Sequence, residues 1–384
     1  MRQSALATST VTSVPTAIPA PKKERLMSID ALRGFDMLWI VGGESVVLAL
    51  TKWVGGPSGF VGTQLEHVDW TGFQFEDLIM PLFMFLAGVS LPFSLASRLT
   101  KDPSLLRLWG HLLKRVVLLW VFGMAVQGNL FSWDPAAWQY YSNTLQAIAA
   151  GYLIATVLCM YCSTRAQWII SGLLLLVTWI IFAKVAAPGG RPDDYSPDGN
   201  FGIWLDKFIL GSHQDGTPYV WILGSLNFGV TTMMGVFAGR CLLNRNMTGP
   251  RKARWLAGSG AIAMGLALAW APFHPIIKHL WTGSFVLLSG GLCLLLLALF
   301  YYIIDVRRWK KWSYFFVVIG SNAIAAYLLS HIWNIGGVLG GRVFGHIGHL
   351  LPRDLADLIK AAASFGALWL ILWLFYRQRI FLKV

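Results

Sequence analysis

Gln64-Leu-Glu-His67-Val-Asp69-Trp70-Thr-Gly72-Phe-Gln-Phe-Glu-Asp77-Leu-Ile-Met-Pro81-Leu-Phe-Met-Phe-Leu-Ala-Gly88 passes from a polar loop into an apolar helix without a break. The helix still holds Asp77 where hydrocarbon begins. Ionisable groups at such a boundary are costly to keep and mark functional sites by default. Glu66, His67, Asp69 and Asp77 form the densest titratable cluster beside a membrane segment in this chain. The stretch reads as the reactive centre of an integral-membrane enzyme.

Working outward, 56% of the 384 residues are hydrophobic and 13% are charged, with 19 Trp. Soluble domains carry about 25% charged residues, so the chain is built for lipid. A span needs about 20 apolar residues, and segments near 32–51, 72–95, 105–127, 143–162, 167–186, 219–242, 254–272, 281–304, 313–335 and 355–376 qualify. The expectation is an all-α polytopic protein, a bundle of about ten transmembrane helices, in one domain over 25–384. Residues 1–24 are rich in Ser, Thr, Ala and Pro and read as a disordered cytoplasmic tail. No short cleavable apolar run precedes the first span, which holds Asp36 and Glu44.

A net charge of +13 invites a nucleic-acid reading. Its distribution argues against one. If the ten spans alternate from a cytoplasmic N-terminus, the basic residues fall inside except Lys52, Lys184, Arg191, Lys207, Lys278, Arg342, Arg353 and Lys360. That positive-inside bias accounts for the charge, places both termini in the cytoplasm, and puts His67 and Lys278 on the outer side. Cys159 and Cys162 form an isolated CxxC with no second pair, read as apolar filler.

Several residues carry candidate chemistry. Asp30 reads as a helix N-cap paired with Arg33, which snorkels to the inner headgroups. Glu44 follows two glycines deep in the first span, and a carboxylate there needs a partner or a cavity. Pro81 leaves the Asp77 carbonyl without its helical donor, so a kink is expected one turn past the loop. A carboxylate from Glu66 or Asp69 is expected to orient the His67 imidazole and keep it basic. Trp70 reads as an interfacial anchor or one wall of a substrate slot. Lys278 either snorkels or stabilises negative charge developing on an acyl oxygen. Asn322 and His331 interrupt an apolar helix as interhelical glue or as contacts to substrate.

Together these motifs resemble the heparan-alpha-glucosaminide N-acetyltransferase family and its bacterial relatives over about 26–380. The most specific part is His67-x-x-Trp70-x-Gly72 followed by Asp77-Leu-Ile-x-Pro81. Ser28-x-Asp30-x-x-Arg33-Gly34, Gly224-Ser-Leu-Asn227 with Gly235-Val-Phe-Ala-Gly239, Lys278-x-Leu-Trp281-Thr-x-Ser284 and Gly320-Ser-Asn322-Ala-Ile-x-x-Tyr327 follow in order. The resemblance implies a cytosolic acetyl-CoA donor, an amine acceptor on a sugar across the membrane, and an essential loop histidine, here His67. Glu44 stands where the lysosomal enzyme carries a functional Asn. Leu145-Gln146-Ala147 lacks the family's Arg, and Val220 replaces an acid.

The reading is therefore a membrane-embedded acetyltransferase. His67, Asp69, Glu44 and Lys278 are the catalytic candidates; Trp70, Asp77, Gln146, Asn227, Asn322 and His331 are the substrate-binding ones, with no metal. Its partners would be acetyl-CoA, an amino sugar or glycan, the lipid bilayer and, optionally, a second copy in a homodimer, with no nucleic acid. The expected setting is a bacterial inner membrane. The rival reading is a transporter for a sugar or glycan fragment that uses the same acids as a proton relay. An O-acyltransferase for envelope polysaccharide is a third.

Overall fold

The computed structural model describes residues 26–55, 59–100, 104–344 and 351–382; the expected tail over 1–24 lies outside them. Regular structure among the described residues is entirely helical. Backbone polar groups in lipid must be satisfied within the segment, which is what a helix does. Among the described residues, eight helices are long and apolar enough to cross a membrane. A bent pair, Lys311–Gly320 with Ala323–His331, makes a ninth. A further helix, Gly249–Trp270, is 22 residues long and carries Arg251, Lys252 and Arg254 near its start. It corresponds to the remaining span of the expected bundle.

The first span is two helices. α1 (Met27–Leu38) and α2 (Glu44–Trp53) meet at a π-type turn over Trp39–Gly43, where Gly42 takes φ +119°. Asp30 lies inside α1, not at its cap, and Arg33 Nη1 reaches its Oδ1 at 3.4 Å. A short helix α3 (Phe60–Gln64) leads into the His67 loop. One 3-10 turn, Phe75–Leu78, then opens α4 (Ile79–Leu99). Pro81 falls in the first turn of α4, where its missing N–H costs little, and the change from 3-10 to α-helical geometry lies before it.

Next come α5 (Leu105–Val126), α6 (Thr144–Tyr161), α7 (Thr164–Lys184) and the short α8 (Phe201–Leu210). α9 (Gly224–Leu243), α10 (Gly249–Trp270) and α11 (Gly283–Phe300) follow. α12 (Tyr314–Gly320) and α13 (Ala323–His331) meet at 62°. The ninth span is thus broken where a straight helix was expected. Asn322, at the break, donates to the Ile380 carbonyl and accepts from Leu382 N–H, tying the C-terminal strap to the bend. α14 (Ile335–Phe344) and α15 (Arg353–Arg377) complete the bundle.

The centre is α4 packed on α9, both largely enclosed. Lipid offers no hydrophobic gain for helix association, so close backbone approach through small residues drives it. A Cβ on Gly88 would overlap the Thr232 carbonyl oxygen, and one on Gly235 would overlap that of Phe85. Gly235→Ala should therefore destabilise the fold by about 1–3 kcal/mol. Thermal unfolding of the detergent-solubilised protein, followed by tryptophan fluorescence, measures it.

Candidate active site

Gly72 adopts φ +128°, a conformation that favours glycine. The turn lets its N–H reach the Ile276 carbonyl at 2.9 Å, fastening the His67 loop to the α10–α11 connection. Trp70 adds a second fastening. Its ring stacks on His279 at 5.1 Å and 16°, and its Nε1–H donates to the Tyr195 carbonyl at 2.7 Å. Tyr195 then joins its hydroxyl to His274 Nδ1 at 3.0 Å. His274 Nε2 accepts the Gly283 N–H at 2.9 Å, so Nδ1 holds the ring proton and donates it to Tyr195.

Lys278 lies in the same connection. Three residues on, Trp281 is enclosed with φ +48°, a strained conformation for a bulky side chain. Two residues of α9 hold it there. Asn227 Nδ2 donates to the Trp281 carbonyl at 2.7 Å, and Trp281 Nε1 donates to Thr231 Oγ1 at 3.1 Å. Asn227 Oδ1 takes the Thr178 hydroxyl at 3.2 Å. Asn227 thereby shapes the turn that aims Lys278.

These three elements converge on one carboxylate. Asp77, fully enclosed, accepts Gln74 N–H on Oδ2 at 3.0 Å. Its Oδ1 receives Lys278 Nζ at 3.1 Å and faces His67 Nδ1 at 3.0 Å. Lys278 Nζ is also 3.1 Å from His67 Nδ1. The side chains of Asp77 and Lys278 are 0% and 9% exposed, and that of His67 is 57% exposed. Burial pushes the Lys278 ammonium below the usual lysine range, and the Asp77 charge opposes the shift. An ion pair walled off from water thus backs an imidazole that is open to it.

The expected orienting carboxylates, Glu66 and Asp69, are exposed on the loop. Asp77 takes that place because the 3-10 turn folds it back under the loop. Glu44 is half-buried and within electrostatic range of His67. Glu76, which the sequence reading passed over, lies within range of Glu44, His67 and Lys278. Its one available signal was adjacency to Asp77. Asp36 is enclosed beside Glu76, and neither of its carboxylate oxygens has a hydrogen-bond partner.

The remaining binding candidates are committed to structural bonds. Gln146 caps α6, accepting from Ser142 and Asn143 N–H and donating to the Tyr140 carbonyl. His331 stacks on Tyr327 at 4.2 Å with Nδ1 3.1 Å from that residue's carbonyl. Asn322 binds the C-terminal strap.

A polytopic helical membrane protein with a solvent-facing imidazole backed by an enclosed carboxylate and ammonium is the class that fold and site define. The family model described as "Heparan-alpha-glucosaminide N-acetyltransferase, catalytic" matches residues 25–265, and the chain belongs to that family. His67 and Asp77 lie inside the matched segment; Lys278 lies beyond it. Human heparan-alpha-glucosaminide N-acetyltransferase is 24% identical over 418 residues, covering 94% of this chain. The mouse protein of that name is 24% identical over 426 residues, with the same coverage. The chain spans 60% of the length of these relatives.

Removing one partner of an enclosed ion pair strands the other charge, which costs about 3–5 kcal/mol. Asp77→Leu and Lys278→Met should each lose that much, and the double variant markedly less than their sum. Thermal unfolding of the three proteins closes the cycle. A second expectation concerns acid. Burial lowers His274 to about 3, and burial with the nearby Lys278 charge lowers His279 to about 4, from an ordinary 6.5. Both rings stay neutral when folded and gain protons on unfolding, so their contribution is intact above pH 6.5 and declines from there toward pH 4. Unfolding temperatures across that range should fall with pH, and His279→Gln should flatten the fall.

Proposed function

We propose that this protein transfers the acetyl group of acetyl-CoA to an amino sugar or glycan held at the His67 end of the bundle. The observation that carries this reading is the open imidazole with its Nδ1 against Asp77. If Nδ1–H donates to Asp77, the Nε2 lone pair faces the cleft, the tautomer a base or nucleophile needs. Nε2 takes the proton from the acceptor amine as its nitrogen attacks the thioester carbonyl carbon. The carbon–sulfur bond breaks, and the departing thiolate is protonated to free CoA. Attack by Nε2 itself, through an acetyl-imidazole, starts from the same arrangement.

Lys278 Nζ donates to Asp77 Oδ1, so its part is to hold the carboxylate ionised and in place. Glu44 and Glu76 suit an acceptor that arrives as an ammonium ion: a carboxylate there attracts it and can take the proton it must lose before its nitrogen attacks. The bilayer we propose is a bacterial inner membrane with both termini cytoplasmic and His67 outward. The concentration of basic residues at the opposite helix ends supports that orientation. The transporter reading retains one supporting observation, the enclosed and unpartnered Asp36.

One assay separates the two. Purified protein in detergent, where no gradient exists, should release free CoA from acetyl-CoA in the presence of glucosamine and acetylate the sugar. His67→Ala should slow this by roughly 10²–10⁴-fold. An unchanged rate in a folded variant removes His67 from the mechanism. Wild-type protein that releases no CoA, yet moves sugar across vesicles with a proton gradient, replaces the enzyme with the transporter.

A further inference from the structure

At the end of the bundle opposite His67 lies a cavity of about 250 Å³ lined by Thr164, Trp168, Phe237, Arg240, Met247 and Trp255, among others. α9 runs between the two regions. Asn227 near its start shapes the Lys278 turn, and Arg240 near its end lines the cavity. Its 20 residues place the two ends about 30 Å apart. The cavity therefore belongs to neither the reacting imidazole nor its supports.

Four helix ends meet here, and their electrostatics do not cancel. The two C-terminal ends are satisfied from within. Gln167 Nε2 donates to the Leu158 and Cys162 carbonyls at the end of α6. Lys252 Nζ donates to the Leu242 carbonyl at the end of α9 at 2.6 Å, and the Asn244 N–H donates to the Arg240 and Cys241 carbonyls. The two N-terminal ends differ. α7 begins after Ser163, whose Oγ accepts the Ala166 N–H at 3.3 Å. α10 begins after Thr248, which makes no side-chain cap bond.

Arg240 sits between them. Its Nη1 donates to Thr164 Oγ1 at 3.2 Å, and its Nη2 leans on Cys159 Sγ at 3.8 Å. Those contacts fix the guanidinium without neutralising it, and they leave other donors of its five free to bind. Arg165, Arg245, Arg251, Lys252 and Arg254 surround it in sequence, and no Asp or Glu occurs between 135 and 192 or between 216 and 304. The nearest acid in the following turn, Asp305, receives the Ser28 N–H. Positive-inside topology accounts for the surface cations. It does not account for a cavity that gathers a fixed arginine and the uncapped start of α10 between aromatic walls.

Those walls describe the rest of the ligand. Trp168 lies flat on Phe237 at 3.6 Å and is 52% exposed; Trp255 is 38% exposed. Indoles at that depth mark the headgroup level of a bilayer. Beyond them, outward-facing Ile169, Leu173 and Leu176 of α7 and Ile262 and Leu266 of α10 carry an apolar surface along the bundle. We propose that this cavity binds the phosphate of an anionic phospholipid. Arg240, with the uncapped start of α10 beside it, holds the headgroup, and the acyl chains run down the apolar surface beyond Trp168 and Trp255. The same phosphate chemistry is present in the nucleotide of CoA, and the experiment distinguishes them.

The test is native mass spectrometry of the full-length protein in detergent, titrated in turn with phosphatidylglycerol, phosphatidylcholine and CoA. Phosphatidylglycerol should bind in preference to phosphatidylcholine. Arg240→Gln should reduce that preference roughly fivefold, the usual effect of one basic residue at such a surface. Arg240→Lys should retain most of it. Arg254→Gln, which removes a charge outside the cavity, should leave it unchanged. Trp255→Ala should weaken phosphatidylglycerol binding if Arg240→Gln does not fold. Equal binding of the two lipids, or a preference that survives both Arg240→Gln and Trp255→Ala, overturns the proposal. Displacement of phosphatidylglycerol by CoA from wild type but not from Arg240→Gln overturns the lipid and assigns the cavity to the nucleotide.

Discussion

The buried contact between Lys278 and Asp77 is the constraint on which the outer half of this molecule depends. An ion pair taken out of water survives only with good geometry and with its remaining valences filled. Each neighbouring oddity in the backbone meets that requirement. Trp281 accepts a positive φ so that the turn carrying Lys278 can enter the bundle, and α9 holds it there through Asn227 and Thr231. The 3-10 turn before α4 directs Asp77 inward and supplies the Gln74 N–H to its second oxygen. Gly72 ties the two loops into one unit. What remains open is His67, and a reactive imidazole needs that combination of rigid support behind and access in front.

The spans were readable because lipid makes apolar length a direct requirement, and His67, Asp77 and Lys278 stood out because charge at a membrane boundary is expensive. Their mutual pairing was not readable. Asp69 is two residues from His67 and Asp77 is ten, so sequence proximity favours the wrong carboxylate. Only the 3-10 turn reverses that order, and nothing in the composition of Phe75–Leu78 announces it. Pro81 misled for a related reason. A proline interrupts a helix interior but is at home in a first turn, and the start of α4 at Ile79 decides which case applies.

The polar residues within the spans show a different limit. Gln146, Asn227 and Asn322 look alike from sequence, as isolated amides in apolar surroundings. In the fold each one closes a backbone that would otherwise be left unpaired in hydrocarbon: a helix N-terminus, a strained turn and a broken span. That need is as strong in a membrane as the need to bind substrate, and composition does not separate the two. Asp36 and Glu76 are the contrasting case. Asp36 has no such bond, and one oxygen of Glu76 has none, so structural duty does not explain them.

Acids and bases are thus sorted to opposite ends of the same helices. Glu44, Glu76 and Asp77 gather around His67, while Arg240 and its neighbours gather where α7 and α10 begin. A hydrocarbon core about 30 Å thick fits between the two sets. On the proposals above, a cationic acceptor is drawn to one end and a lipid phosphate to the other. Between the two fields lies Asp36, enclosed in α1 and electrostatically coupled to both Glu76 and Arg33.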